Sequence, residues 1–270
     1  MSFYEALIYG IIQGLSEFLP ISSSGHLALL PHLMEIDDPG VVFDLMMHLG
    51  TAFAVLVYFR KDIFRYAKTF TPALANFKQG TKEQWFVRNF ILATFSSVLA
   101  IVLLLPISKL ARDPSVIIFN LVFFGLILWV ADHLNRKRAD HLEAPFEMKM
   151  CWNLAIIIGL AQALAIFPGV SRSGITLSAA LLLGFRRHEA GSFSFLLSLP
   201  IILAGILKEV PDLMNAGGDR LSILLTGVVT SFIVGWLTIH FFMKLIGKIH
   251  LVWFTLYRWI TAMILVWVLF

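Results

Sequence analysis

Along the 270 residues, apolar positions gather into long runs separated by short polar stretches. Six runs approach the roughly 20 residues that a helix needs to cross a bilayer. They are Val41–Phe59, Asn89–Lys109, Ser115–Leu134, Ser192–Leu207, Leu221–Ile246 and Leu251–Phe270. Two further stretches, Tyr4–Leu19 and Asn153–Phe167, are shorter. Each stops at a proline (Pro20 or Pro168), enters a Ser/Gly cluster and continues as a second apolar piece, Leu27–Met34 or Ile175–Phe185. Proline and small polar residues break a helix, and irregular backbone at membrane depth is tolerated only where protein or a wet cavity covers it. Both regions therefore read as re-entrant helix–loop–helix hairpins, with an ordinary kinked span as the alternative. The expected fold is an all-α polytopic membrane protein with six spanning helices plus two re-entrant hairpins.

The two broken regions resemble each other at an offset of 149. Gly10 matches Gly159, Gln13 matches Gln162, Leu15 matches Leu164, Ser22 matches Ser171, Ser24 matches Ser173 and Gly25 matches Gly174. At an offset of 150, Phe43, Leu49 and Ala54 meet Phe193, Leu199 and Ala204. The chain thus reads as a single membrane domain, 1–270, built from repeats of about 1–135 and 150–270. Each half holds one hairpin and three spans. Three crossings return the chain on the opposite side, so the second half enters inverted, and the two broken elements of such a repeat meet near the midplane.

Composition agrees with the pattern. Hydrophobic residues make up 59% of the chain and charged residues 14%, against about a quarter charged in soluble domains. The N-terminus has no basic segment and no small-residue cleavage site, so no removable signal peptide is expected. The single cysteine, Cys151, excludes an intramolecular disulfide and a cysteine-based metal cluster.

The positive charges are distributed unevenly. Counted from the termini's side, the opposite side receives 15 Lys and Arg, among them Arg60, Lys61, Lys78, Arg136, Arg138, Lys149 and Arg186. The termini's side receives four: Lys109, Arg112, Lys208 and Arg220. The positive-inside bias then puts the basic loops in the cytoplasm and both termini outside. Arg60–Phe77 alternates basic residues with Phe64, Tyr66 and Phe70, as a helix lying in the inner interface would.

Chemistry concentrates in the two broken regions. The first reads Gln13-Gly-Leu-Ser-Glu17-Phe-Leu-Pro20-Ile-Ser22-Ser23-Ser24-Gly25-His26. On a helix, Gln13 and Glu17 share one face. A carboxylate there is costly, so it should pair with a cation or hold a metal. Small residues ahead of a short helix free backbone N–H groups for an anion, and His26 beside them is a candidate acid or base. The second cluster, Pro168-Gly169-Val-Ser171-Arg172-Ser173-Gly174-Ile-Thr176, repeats the plan and adds a guanidinium suited to phosphate.

Blander readings stay open: serine and glycine runs can serve helix packing, Arg172 can be a structural partner of Glu17, and His26 can be an interfacial cap. Asp44 and His48 are spaced to bond each other in a supporting role. Asp132 and His133 read as solvated at a span end, and His240 and Arg258 as structural or snorkelling residues.

The two clusters closely resemble the signature motifs of the undecaprenyl-diphosphate phosphatases, also called bacitracin-resistance proteins. Phe43-Asp44-Leu-Met-Met-His48-Leu-Gly50-Thr51 resembles that family too, and the likeness spans essentially the whole chain. It implies hydrolysis of undecaprenyl diphosphate to undecaprenyl phosphate and inorganic phosphate, recycling a lipid carrier for cell-wall synthesis at the bacterial inner membrane. It further implies Glu17, Ser23, His26 and Arg172 as catalytic residues. Ser23 would be the nucleophile, His26 its acid/base and Arg172 the phosphate clamp.

Gln13, Ser22, Ser24, Gly25, Ser171, Ser173, Gly174 and Thr176 would contact substrate. A divalent cation, magnesium or calcium, is expected near Glu17 and Gln13, although Gln13 stands where relatives can carry glutamate. The implied partners are the polyprenyl diphosphate and the bilayer, with a homodimer left open and no nucleic acid. The active site would face the outer side. The rival class is a transporter or flippase of a polyprenyl phosphate or another anion, which needs the same anion-binding turns.

Overall fold

The computed structural model describes residues 2–36, 39–75, 80–108, 113–137, 151–214 and 218–269, which are all helix and connecting turns. The helices are α1 (Phe3–Ser16), α2 (Ser23–Met34), α3 (Val41–Tyr58), α4 (Arg60–Lys68), α5 (Phe70–Ala75), α6 (Lys82–Ser108) and α7 (Pro114–Lys137). The second half contributes α8 (Trp152–Ala163), α9 (Arg172–Leu182), α10 (Arg187–Met214), α11 (Gly218–Leu245) and α12 (Val252–Leu269). Among the described residues, five helices are long and apolar enough to cross a membrane, or six if α3 and α4 count as one broken span. The chain is a multi-pass membrane protein.

The boundaries have local causes. Helix α1 starts at a capping box, in which the Ser2 hydroxyl accepts from Glu5 N–H and the Glu5 carboxylate accepts from Ser2 N–H. Helix α10 begins five residues before the expected Ser192 because the Glu189 side chain accepts from the Arg186 N–H and caps its first turn. Helix α3 ends at a 74° bend into α4. No residue of α4 is buried, and Lys68 and Arg65 lie over the rings of Phe64 and Tyr66. Phe77, at the end of the expected interfacial segment, lies outside the described residues, as do Lys78, Lys109, Arg112, Arg138 and Lys149 of the charge count.

At 14 residues and 1.5 Å per residue, α1 is about 21 Å long, too short to span. Helices α2, α8 and α9 have 12, 12 and 11 residues. Each short pair is broken at its serine cluster. The packing crosses between the halves: α1 lies along α11, α8 along α6, α3 beside α10 and α7 beside α12. Two glycines make this closeness possible. A side chain at Gly10 would strike Thr230 on α11, and one at Gly159 would strike the Ala93 carbonyl and Ser96 on α6.

Two expectations about polar residues are corrected. His133 is exposed, but Asp132 is buried. Its carboxylate pairs with Arg187 and Arg136 and accepts from the Leu251 N–H, tying the C-terminal end of α7 to the α11–α12 turn. Arg258 does not snorkel: it is fully buried, because backbone carbonyls take its guanidinium inside the protein.

Candidate active site

The two serine clusters fold into the same local shape. Ser22 has φ 74° and ψ 92°, and Ser171, its counterpart, has φ 71° and ψ 107°. Each precedes a short helix and caps it, the hydroxyl accepting from the N–H three residues on, Gly25 or Gly174. Each also meets the hydroxyl two residues on, Ser24 at 3.2 Å or Ser173 at 3.3 Å. Positive φ at a residue with a side chain is strained by about 1–3 kcal/mol and persists only where its surroundings impose it. Such strain often gathers at functional sites.

The turns touch tip to tip. Ser24 Oγ accepts from the Gly169 N–H at 3.2 Å, and Ser173 Oγ donates to the Leu19 carbonyl at 3.1 Å. Gly169 itself has φ 89° and sits against the Ile117 carbonyl and Asn120 of α7, where a side chain would collide. Asn120 donates its amide N–H to the Pro168 carbonyl. The proline-ended second turn is thus pinned on both sides.

Glu17 is the hub. Its Oε2 accepts from Ser23 Oγ at 2.7 Å and from Gln13 Nε2 at 3.0 Å, and lies 3.4 Å from His48 Nε2. Its Oε1 accepts from Arg172 Nη2 at 2.5 Å. Glu17 is buried, so only a partner set of this kind makes its charge tolerable. Arg172 Nη1 is buried and has no hydrogen-bond partner. A guanidinium with one arm engaged and the other idle is a half-used fork, the donor geometry that suits a phosphate oxygen.

His26 faces away from this hub. Its Nδ1 lies 2.8 Å from the Ser22 carbonyl, which can only accept, so Nδ1 carries the proton. Nε2 meets Tyr257 Oη at 2.8 Å, and the two rings stack at 5.5 Å. Ser23 gives its hydrogen bond to Glu17, and His26 has none to Ser23. Both His26 and Tyr257 line a cavity of about 370 Å³ between α1 and α12, whose walls include Ile12, Leu15, Leu19, Ile21, Trp253 and Phe254.

The remaining sequence-derived residues have mixed placements. Thr176 turns its hydroxyl to the Arg172 carbonyl and to Ser194 of α10. Ser173 and Ser24 tie the turns together, and the Gly25 and Gly174 N–H groups are taken by the capping serines. Gln13 sits within the hub, and its Oε1 is buried with no hydrogen-bond partner. Asp44 and His48 do not pair through their side chains, since His48 Nδ1 donates to the Asp44 backbone carbonyl, which aims Nε2 at Glu17. Tyr257, 231 residues from His26, carries no signal in the linear sequence.

Hard oxygen donors are available for a cation. The Glu17 carboxylate, the unpartnered Gln13 amide oxygen and the Ser23 hydroxyl suit magnesium or calcium. Among the described residues no three His, Cys, Asp or Glu side chains cluster, so waters or phosphate oxygens would complete the shell.

Two strained serine turns, one acid, one hydroxyl held by that acid and one half-free arginine are thus brought together. The second turn has no acid of its own, since Ile166 stands where the repeat offset from Glu17 falls. A family model, that of the bacitracin resistance protein BacA, matches residues 6–264. The chain therefore belongs to this family of undecaprenyl pyrophosphate phosphatases, and it hydrolyses undecaprenyl diphosphate to undecaprenyl phosphate and inorganic phosphate.

Proposed function

We propose that this hydrolysis proceeds through Ser23, with Glu17 rather than His26 as its base. The observation that carries this reading is the 2.7 Å bond from Ser23 Oγ to Glu17 Oε2, on the carboxylate whose other oxygen holds Arg172. Arrival of the diphosphate gives Arg172 a second anion. Its idle Nη1 takes a phosphate oxygen first, and the fork then shares its charge between phosphate and Glu17, which frees the carboxylate to accept a proton.

Ser23 Oγ attacks the terminal phosphorus and passes its proton to Glu17. The bond to the bridging oxygen breaks and polyprenyl phosphate leaves. Water then attacks the phosphoseryl group, and Ser23 recovers its proton from Glu17 as inorganic phosphate departs. His26, committed to Ser22 and Tyr257, shapes the mouth of the apolar cavity, and the isoprenoid chain lies along α1 and α12. A divalent cation on Glu17, Gln13 and Ser23 would supply charge neutralisation for the transferring phosphoryl group.

The same reading makes each short helix pair a re-entrant hairpin and the two halves an inverted repeat. It is supported by the matched backbone angles of Ser22 and Ser171 and by the crossed packing of α1 on α11 and α8 on α6. The charge bias supports external termini and a site open to the outer leaflet. The test is phosphate release from the purified, detergent-solubilised protein given a polyprenyl diphosphate. Trapping of a phosphoserine at position 23 in a rapidly quenched sample is the expected result. Release at the normal rate by Ser23→Ala would replace the covalent route with direct attack by water.

A further inference from the structure

Arg258 is 0% exposed, lies in the apolar α12 and has no carboxylate partner among the described residues. A cation so placed is expensive, and it persists only when its donors are met. All of its partners are backbone carbonyls. Nε donates to Leu121 at 3.0 Å, and Nη2 to Asn120 at 3.1 Å, both on α7. Nη2 also donates to Gly169 at 2.8 Å, and Nη1 to Val170 at 3.1 Å, both in the second serine turn. Nη1 reaches Pro20 in the first turn at 3.5 Å. One rigid, planar group thus joins both turns to α7 from behind.

We infer that Arg258 is a positioning residue that sets the register of the two serine turns, and through them the placement of Arg172 against Ser23. This rests on the proposed partnership of those two residues. The first turn delivers Ser23 and the second delivers Arg172; apart from the Arg172–Glu17 ion pair, the direct ties between them are the Ser24–Gly169 and Ser173–Leu19 hydrogen bonds. A carbonyl needs no charge to accept a hydrogen bond. The reason for an arginine is therefore its fixed fan of five donors, which a lysine cannot reproduce. The competing role is plain charge, which would draw the diphosphate toward the site and be kept by lysine.

Arg258→Lys and Arg258→Met separate the two roles when kcat and KM for a short-chain polyprenyl diphosphate are measured beside wild type. Register control predicts that kcat falls about 50-fold or more in both variants while KM stays within about threefold, because misplacement of about 1 Å can cost two orders of magnitude. Restoration of kcat by lysine, or a loss confined to KM in the methionine variant, would overturn the inference.

Arg258→Gln serves if those variants do not fold, since its amide offers two donors in place of five. A several-fold lower kcat at unchanged KM is expected, and a wild-type kcat would sink the proposal. Ser23→Ala in the same assay keeps the outcomes apart. If that variant is fully active, the catalytic reading fails on its own, whatever Arg258 does.

Discussion

Ser23 and Glu17 lie six residues apart, and the hydroxyl of the first donates to the carboxylate of the second at 2.7 Å. The bond spans the break between the C-terminal end of α1 and the first turn of α2. Arg172 reaches the same carboxylate from the other half of the chain. A single acid therefore holds Ser23 and Arg172 together.

If Glu17 is the base, Glu17→Gln and Ser23→Ala should each lower kcat by at least about a hundredfold. His26→Ala should cost less, because the ring is committed to Ser22 and Tyr257. Phosphate-release kinetics on the three variants decide the order. A His26→Ala loss exceeding that of Glu17→Gln would return the base to histidine.

Arg172→Lys keeps the charge but loses the fork. One ammonium cannot hold Glu17 and leave a second, prealigned donor for phosphate, so turnover should fall about a hundredfold. Near-normal release by a folded Arg172→Lys protein would remove the clamp from the mechanism.

Gln13→Glu places a second carboxylate beside Glu17. Cation affinity rises with the number of ligand charges. The magnesium concentration giving half-maximal activity should drop about tenfold, a shift that titration after chelation would read. An unchanged or higher requirement would show that Gln13 lies outside the cation site.

Asp132→Asn leaves Arg187 buried without its charge partner. Loss of one member of a buried pair costs about 3 kcal/mol. Thermal unfolding in detergent should show a lowered Tm, while kcat of the surviving folded protein stays near wild type, since this cluster lies at the far end of α7 from the serine turns. A Tm within error of wild type would mean that Arg136 and the neighbouring carbonyls suffice.

The native thiol tests sidedness. Cys151 is exposed just ahead of α8, in a connection that the charge bias assigns to the cytoplasm. A membrane-impermeant thiol reagent should miss it in intact cells and reach it after permeabilisation. Cysteine introduced at Gly80 in a Cys151→Ala background should behave the same way, and labelling of Gly80 from outside would invert the orientation.

Much of the fold was legible because a bilayer restricts what a chain can do. Apolar runs of the right length must be helices, and a proline followed by serines must end them. That reasoning located both breaks, and the offset of 149 paired Ser22 with Ser171, which share one conformation. It also paired Gln13 with Glu17, since neighbours one turn apart on a helix need no tertiary information. The interfacial reading of Arg60–Phe77 followed from its alternating charge, but the 74° bend between α3 and α4 did not.

Tertiary structure decided the rest. Asp132 looked like a solvated residue at a helix end until Arg187, 55 positions away, closed over it. His26 looked like the partner of Ser23 because the two are close in sequence. Residues three apart on a helix share a face and can meet, but here Ser23 bonds Glu17 and His26 bonds Tyr257. Arg258 shows the same limit most plainly. Sequence determined that an arginine lies in an apolar segment and must be satisfied; only the packing of α12 against α7 decided that backbone carbonyls of two distant turns would do it. Hydropathy and helical period are local properties and survive in the linear chain, whereas a donor's partner is fixed by whichever acceptor folding brings within 3 Å.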